Sequence, residues 1–196
     1  MILSNVEIQR ALDERRLVID PEPSPRSPTA GRSECPYQTS AVDLRLGREI
    51  SIYKGDTSPV VIDLTKGSFR HLAAVMETRQ LTDDQPLTLA PGRFILGRTH
   101  ESVELPLSDV PDSNLAARVE GRSSYARCGL LVHFTAPTIH AGFKGTITLE
   151  MMNLGPYSIL LRPEMPICQL IIEEVRGVPF RNDSQFQGQR RPAGPA

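Results

Sequence analysis

Apolar positions in this chain follow two different periods. Over "SNVEIQRALDERR", residues 4–16, Ile8, Ala11 and Leu12 recur at helical spacing, and Ser4 and Glu7 stand in capping-box positions. That spacing predicts one short amphipathic helix. The following "DPEPSPRSPTAGRSECP" is rich in proline and serine and reads as a loop, because proline lacks a backbone donor and resists helix and sheet interiors. From Ala41 the pattern becomes short runs rich in apolar and β-branched residues: "AVDLRLG", "EISIY", "PVVIDL", "PLTLAPG", "FILGRT", "SVELP", "LAARVE", "LLVHF", "GTITLEMM", "YSILLRP" and "ICQLIIEEV". Proline, glycine, asparagine or aspartate bounds them, as expected of strands. The stretch "TKGSFRHLAAVMETRQLTDDQ", residues 65–85, has room for a short helix within an insertion.

Strands that follow one another without long helices between them do not build βαβ units. The natural solution is a mainly β fold, an antiparallel barrel or double-sheet jelly roll with a short N-terminal helix. The expected division is a β domain over residues 1–178 and a tail over 179–196. The tail, "RNDSQFQGQRRPAGPA" from Arg181, is polar and has no core-forming pattern. By composition alone it reads as a frayed end.

Composition narrows the function classes. The 196 residues suffice for one domain with a sizeable core, and a net charge of −1 provides no global field for nucleic acid. Any anion site must be a local cluster. The three cysteines form no C-x-x-C pair, which fits a reducing cytoplasm. No run of about 18 apolar residues suggests a membrane span.

Two stretches carry candidate chemistry. In "EGRSSYARCGL", residues 120–130, Ser123 and Ser124 stand between Arg122 and Arg127. Ser123 is placed to cap a short helix through Tyr125, Ala126 and Arg127, with Gly129 as its stop. The free amides of such a helix start, two hydroxyls and an arginine suit phosphate oxygens. An ordinary capped turn explains the same letters equally well. In "GTITLEMMN", residues 145–153, strand alternation puts Ile147, Leu149 and Met151 on one face and Thr146, Thr148 and Glu150 on the other. A solvent-facing glutamate is the plainer reading of Glu150. The functional alternative is a general base, since a carboxylate withdrawn from water holds a proton more readily. His133, among apolar neighbours in "LLVHFTA", reads as a buried histidine satisfied by hydrogen bonds. The histidines and cysteines show no metal-ligand spacing, and the H-x-E with P-C-x-x-C pattern of zinc-dependent deaminases is missing. Phosphate-binding glycine loops and dinucleotide fingerprints are missing as well.

Taken in order, "MILSNVEIQRAL", "TSAVDLRLG", "LAPGRFILGRTHESVELP", "EGRSSYARCGLLVHFTA", "GFKGTITLEMMN", "LRPEMPICQLIIE" and "QFQGQR" resemble the dCTP deaminases of the trimeric dUTPase superfamily. The resemblance covers most of the chain, least clearly around residues 55–88. It implies a β-barrel or jelly roll assembled as a homotrimer with active sites between subunits. It implies that Arg122, Ser123 and Ser124 hold a triphosphate, with Thr135 also among the substrate-binding positions. Ser123 and Arg127 would position the reacting water and carboxylate, the carbonyl of Ala136 would hold that water or the cytosine amino group, and Glu150 would be the general base. The implied reaction converts dCTP to dUTP with release of ammonia and supplies dUMP for thymidylate synthesis, with dTTP as inhibitor. Zinc is not expected, and Mg²⁺ would come mainly on the triphosphate oxygens. The family tail closes over the nucleotide, which replaces the frayed-end reading and singles out Phe186 and Gln189.

The chain departs from the family pattern in three places. His140 stands where many relatives have aspartate, and a neutral imidazole lacks the charge used to assemble a second attacking water, so pyrophosphate release is not expected. Gln185 and Phe186 stand where many relatives have lysine and tyrosine, which removes one charge and one hydroxyl; Arg190 and Arg191 are the nearby replacements for that charge. Thr138 stands where some have arginine, at a position that touches base or sugar. Two alternatives remain: a bifunctional deaminase and diphosphatase giving dUMP, and a nucleotide-binding regulator that keeps the fold without the chemistry.

Overall fold

The computed structural model describes residues 1–29, 35–53, 63, 65, 76–182, 188, 191 and 192. The N-terminal helix α1 spans Asn5–Asp13, and Ser4 Oγ accepts a hydrogen bond from the Glu7 amide at 3.3 Å. Its buried residues are Ile8 and Ala11, with Leu12 packed at the core margin. The helix meets the expectation from spacing and capping.

Thirteen strands are described: β1 Val18–Asp20, β2 Tyr37–Gln38, β3 Ala41–Arg45, β4 Glu49–Tyr53, β5 Met76–Gln80, β6 Leu87–Leu89, β7 Phe94–Glu104, β8 Asn114–Gly121, β9 Leu130–Val132, β10 Thr138–Ile139, β11 Lys144–Asn153, β12 Ile159–Leu161 and β13 Pro166–Val175. A four-residue helix α2, Ser123–Ala126, joins β8 to β9. One sheet runs β5-β4-β7-β11-β9 with β1 also paired to β7; the second runs β10-β8-β13-β3-β2; β6 and β12 form a small ribbon. The described pairings are all antiparallel. The inward faces of the two large sheets meet in one core that includes Leu44, Ile50, Val103, Leu115, Leu149 and Leu170.

Some boundaries differ from the pattern-based expectation. "FILGRT" and "SVELP" belong to a single strand, β7. Its alternation is broken in the sequence by Glu101, which is fully buried because its carboxylate accepts from the Arg45 amide at 2.8 Å and from Arg45 Nε at 2.7 Å. Within 65–85, residues 76–80 form a strand at the end of its sheet; the stretch 66–75, where a short helix is expected, and the rest of 54–75, including "PVVIDL", lie outside the described residues apart from Asp63 and Thr65. Only Met76 of β5 is buried, and β5 is the last strand of its sheet among the described residues. The strand read as "LLVHF" stops at Val132, because His133 turns into the left-handed region at φ +54°.

Candidate active site

The strand β11 organises the site. Ile147, Leu149 and Met151 are buried in the core, while Thr146, Thr148 and Glu150 line a cavity of about 680 Å³. The alternation read from the sequence holds, although the register against β7 shifts between Thr146 and Thr148. At that bulge the Ile147 amide donates to Thr99 Oγ1 at 3.0 Å, which satisfies a ladder donor the shift would strand.

The cavity wall continues through the loop after β9 and the turn before β11. Ala136, Thr138, Ile139 and His140 contribute from this side. The Phe143 amide donates to the His140 carbonyl at 3.1 Å, and Gly142 supplies the turn with φ +88°. Thr138 and His140, two of the departures from the family pattern, therefore face the same space as Glu150. Across the mouth, Lys144 Nζ lies 2.9 Å from Glu104 Oε2. Arg181, Asn182 and Pro192 from the C-terminal segment complete the lining. That segment follows β11: the Gly188 amide donates to the Lys144 carbonyl at 2.9 Å, and Thr148 Oγ1 donates to the Pro192 carbonyl at 3.4 Å. Gln185, Phe186, Gln189 and Arg190 lie outside the described residues.

Glu150 is 27% exposed, and its Oε2 lies 2.7 Å from Nδ1 of His133, itself only 6% exposed. The approach is short but not aligned as a hydrogen bond. Neither ring nitrogen of His133 nor Glu150 Oε2 has an aligned partner among the described residues. The expectation of a satisfied core histidine is thus half right: the ring is buried, and its polar atoms are held beside a carboxylate. Its sequence neighbours are apolar, and the partner sits on another strand, so local spacing could not reveal the pair. Glu104, Lys144, Arg181 and Asn182 were missed for the same reason.

The Ser/Arg stretch lies elsewhere. Ser123 is the first residue of α2 rather than its cap; Arg122 occupies the cap position and makes no side-chain capping bond. Ser123, Ser124 and Arg127 are exposed, and neither they nor Arg122 line the cavity containing Glu150. Arg122 is fixed by its neighbours: Nη1 donates to Asp43, and its guanidinium sits 5.6 Å from the centre of the Tyr125 ring. Asp43 also accepts from Gln169 at 2.9 Å and from Gln38 at 3.2 Å. Gly129 closes the stretch at φ +93°. Thr135 is exposed in the loop after β9 and does not line the cavity, whereas Ala136 does.

Among the described residues no group of three or more histidine, cysteine or acidic side chains is arranged to hold a metal. No described helix is long and apolar enough to cross a membrane.

A family model described as dCTP deaminase-like matches residues 2–175. The chain is 36% identical over 197 residues to the protein named "dCTP deaminase, dUMP-forming" of Methanosphaera stadtmanae, covering 97% of this chain and 91% of that one. A protein of the same name from Dictyoglomus turgidum is 41% identical over 170 residues, covering 87% and 78%. One named "dCTP deaminase" from Natronomonas pharaonis is 36% identical over 197 residues, covering 98% and 92%. The crystal structure of 2'-deoxycytidine 5'-triphosphate deaminase from Agrobacterium tumefaciens superposes with a TM-score of 0.58 at 20% identity over 87% of this chain; the chain spans about half of that protein, 47%. That likeness supports the mainly β, antiparallel fold, and the family match with these relatives shows that the chain belongs to the dCTP deaminase-like family.

Proposed function

We propose that this protein deaminates dCTP to dUTP and releases ammonia. The observation that carries the reading is the placement of Glu150: a carboxylate with one oxygen in a protein wall and its side chain lining a cavity large enough for a nucleoside. The carboxylate takes a proton from water, and the resulting hydroxide adds to C4 of the cytosine ring. The proton passes to N3. The tetrahedral centre then collapses: the proton of the new C4 hydroxyl is passed to the amino group, which leaves as ammonia as the C4 carbonyl forms. The carbonyl of Ala136, another residue of the cavity lining, accepts from the water or the departing amino group. Zinc has no part in this scheme.

Ser123, Ser124, Arg122 and Arg127 supply the triphosphate contacts and help orient the water. Their exposure outside the Glu150 cavity supports a site completed between copies of the chain, in a homotrimer. Asp43 and Tyr125 preset the Arg122 guanidinium, which lowers the ordering cost of binding an anion. Mg²⁺ fits this site as a companion of the triphosphate, since among the described residues no group of three or more histidine, cysteine or acidic side chains is arranged to hold it. The C-terminal segment, with Phe186 and Gln189, closes over the nucleotide; Arg181, Asn182 and Pro192 already border the cavity. dTTP competes at the same site, and the enzyme works in the cytoplasm.

Chromatography of the products formed from dCTP and Mg²⁺ tests the proposal: dUTP and ammonia are expected, and Glu150→Gln abolishes both. Full activity in Glu150→Gln would refute the mechanism. A second reading is favoured by the relatives named dUMP-forming. It requires pyrophosphate beside dUMP. His140, an imidazole in the cavity wall without fixed negative charge, is the feature that directs us to dUTP as the product.

A further inference from the structure

His133 is the last place where a strand of this sheet should carry strain. The ladder between β9 and β11 pairs Val132 with Met151, and the His133 amide extends it by donating to the Glu150 carbonyl at 2.7 Å. At that residue the backbone enters the left-handed region, φ +54°, uncommon for a residue with a Cβ. The consequence is local: the ring folds back against the side chain of the same residue whose carbonyl it bonds. Nδ1 comes within 2.7 Å of Glu150 Oε2, inside the cavity wall, with 6% of the histidine side chain exposed.

Chemistry decides what that contact is. A carboxylate oxygen accepts and does not donate, so an unprotonated nitrogen at this distance would repel it. A proton on Nδ1 makes the contact attractive, and catalytic hydrogen bonds that are poorly aligned in a free site commonly tighten when substrate fills it. A histidine kept only for packing would turn its nitrogens toward backbone carbonyls or solvent. Both of these are buried without an aligned partner among the described residues. The other charged or titratable groups of the cavity are the Lys144–Glu104 pair, His140 and Arg181.

We infer that His133 is a positioning residue for Glu150. Its Nδ1–H holds Oε2 and fixes the carboxylate rotamer, leaving Oε1 to take the proton from water. The inference rests on the reading of Glu150 as general base.

The test compares steady-state ammonia release from dCTP by the full-length wild type and by His133→Leu, His133→Gln, His133→Asn and Glu150→Gln. Asparagine can place an amide donor near the Nδ1 position; glutamine places it near Nε2. His133→Leu and His133→Gln are expected to lose about a hundredfold in kcat, the scale for a misplaced reacting group. Their KM should stay within about threefold, since the contact acts on the reacting carboxylate and not on nucleotide binding. His133→Asn should recover at least about tenfold of that loss. Equal activity in the asparagine and glutamine variants, or a loss carried by KM, overturns the positioning role. Should His133→Leu fail to fold, the asparagine–glutamine pair decides alone, with thermal melts as the folding control. Wild-type kcat in His133→Gln beside an inactive Glu150→Gln rejects the inference and leaves the base intact. An active Glu150→Gln removes the base, and this inference with it.

Discussion

Replacing Gly129 with alanine should be among the most damaging single-methyl additions in the chain, and the structure lets its two costs be separated. A Cβ at Gly129 would stand 2.2 Å from the Gly155 nitrogen and 2.4 Å from its Cα, both backbone atoms that no rotamer change can withdraw. The contact is mutual, since a Cβ on Gly155 would meet the Cys128 carbonyl oxygen at 2.4 Å. The two segments are also tied by the Leu154 amide donating to the Gly129 carbonyl at 2.8 Å. Gly129 adds a conformational cost through φ +93°. Gly92 is the control: its φ is +72°, and a Cβ there would meet nothing within 4 Å. Gly92→Ala therefore costs the backbone term alone, about 1–2 kcal/mol. Gly129→Ala adds forced separation of two packed backbones, a further 1–3 kcal/mol or so, for a total of about 2–5 kcal/mol. For a chain of this size each kcal/mol moves Tm by about 2–4 °C, so the expected losses are roughly 2–8 °C for Gly92→Ala and 4–20 °C for Gly129→Ala. Thermal circular dichroism at one matched protein concentration reads both. Melting points for the two variants within about 2 °C of each other would refute the close approach as the source of the cost.

Mixing Glu150→Gln with Ser123→Ala subunits after reversible dissociation should restore about a quarter of the wild-type activity per site, the random yield if each site draws one residue from each of two neighbours; a mixture as inactive as its parts would reject a shared site. Asp43→Ala should destabilise the fold by about 3 kcal/mol, low in the range for a broken buried pair because Arg122 retains some solvent, and should raise KM for dCTP by freeing the guanidinium; an unchanged KM would detach Arg122 from nucleotide binding. Burial raises the Cys168 thiol well above its ordinary range, so 5,5'-dithiobis(2-nitrobenzoate) at pH 8 should leave Cys168 unmodified until the protein is denatured, as mass spectrometry of tryptic peptides would show. Burial, with the nearby Glu22, also pushes the Tyr37 hydroxyl up to about 12 from 10.0. The folded state then keeps a proton that the unfolded chain releases, so this contribution is complete below pH 10, declines through pH 12, and should lower Tm over that window; in Tyr37→Phe that part of the decline should be missing.

What could be read from the letters divides along physical lines. Alternation in β11 and capping at Ser4 are local signals, and both gave the right element and the right face. Strand β7 was split because Glu101 reads as a surface residue; only Arg45, more than fifty positions away, makes its burial tolerable. Edge strand β5 was missed because an edge with one buried residue has no period to detect. At the site, Glu150 was legible from its strand, and Ser123 was misread as a cap because Arg122, with no capping side-chain bond, holds the turn through its pair with Asp43. His133 was legible as buried but not as Glu150's neighbour, since that depends on the pairing of β9 with β11.

The same division explains why the two motifs of this chain belong to different parts of one fold. Strand β8 lies in the sheet with β13 and β3, and its end delivers Arg122 to Asp43 in that sheet. Strand β9 lies in the other sheet, beside β11 and Glu150. Helix α2 is the crossing between them; its hydroxyls and Arg127 are exposed, and they do not line the cavity that holds the carboxylate. A nucleotide in that cavity needs anion contacts for its phosphates, and the described wall offers two cations, Arg181 and Lys144, the latter paired with Glu104. The exposed cluster at α2 has donors and positive charge and does not line that cavity. Under the proposed function the two motifs serve one substrate, and a rotation that brings the α2 of one copy to the Glu150 cavity of the next is the arrangement that proposal requires.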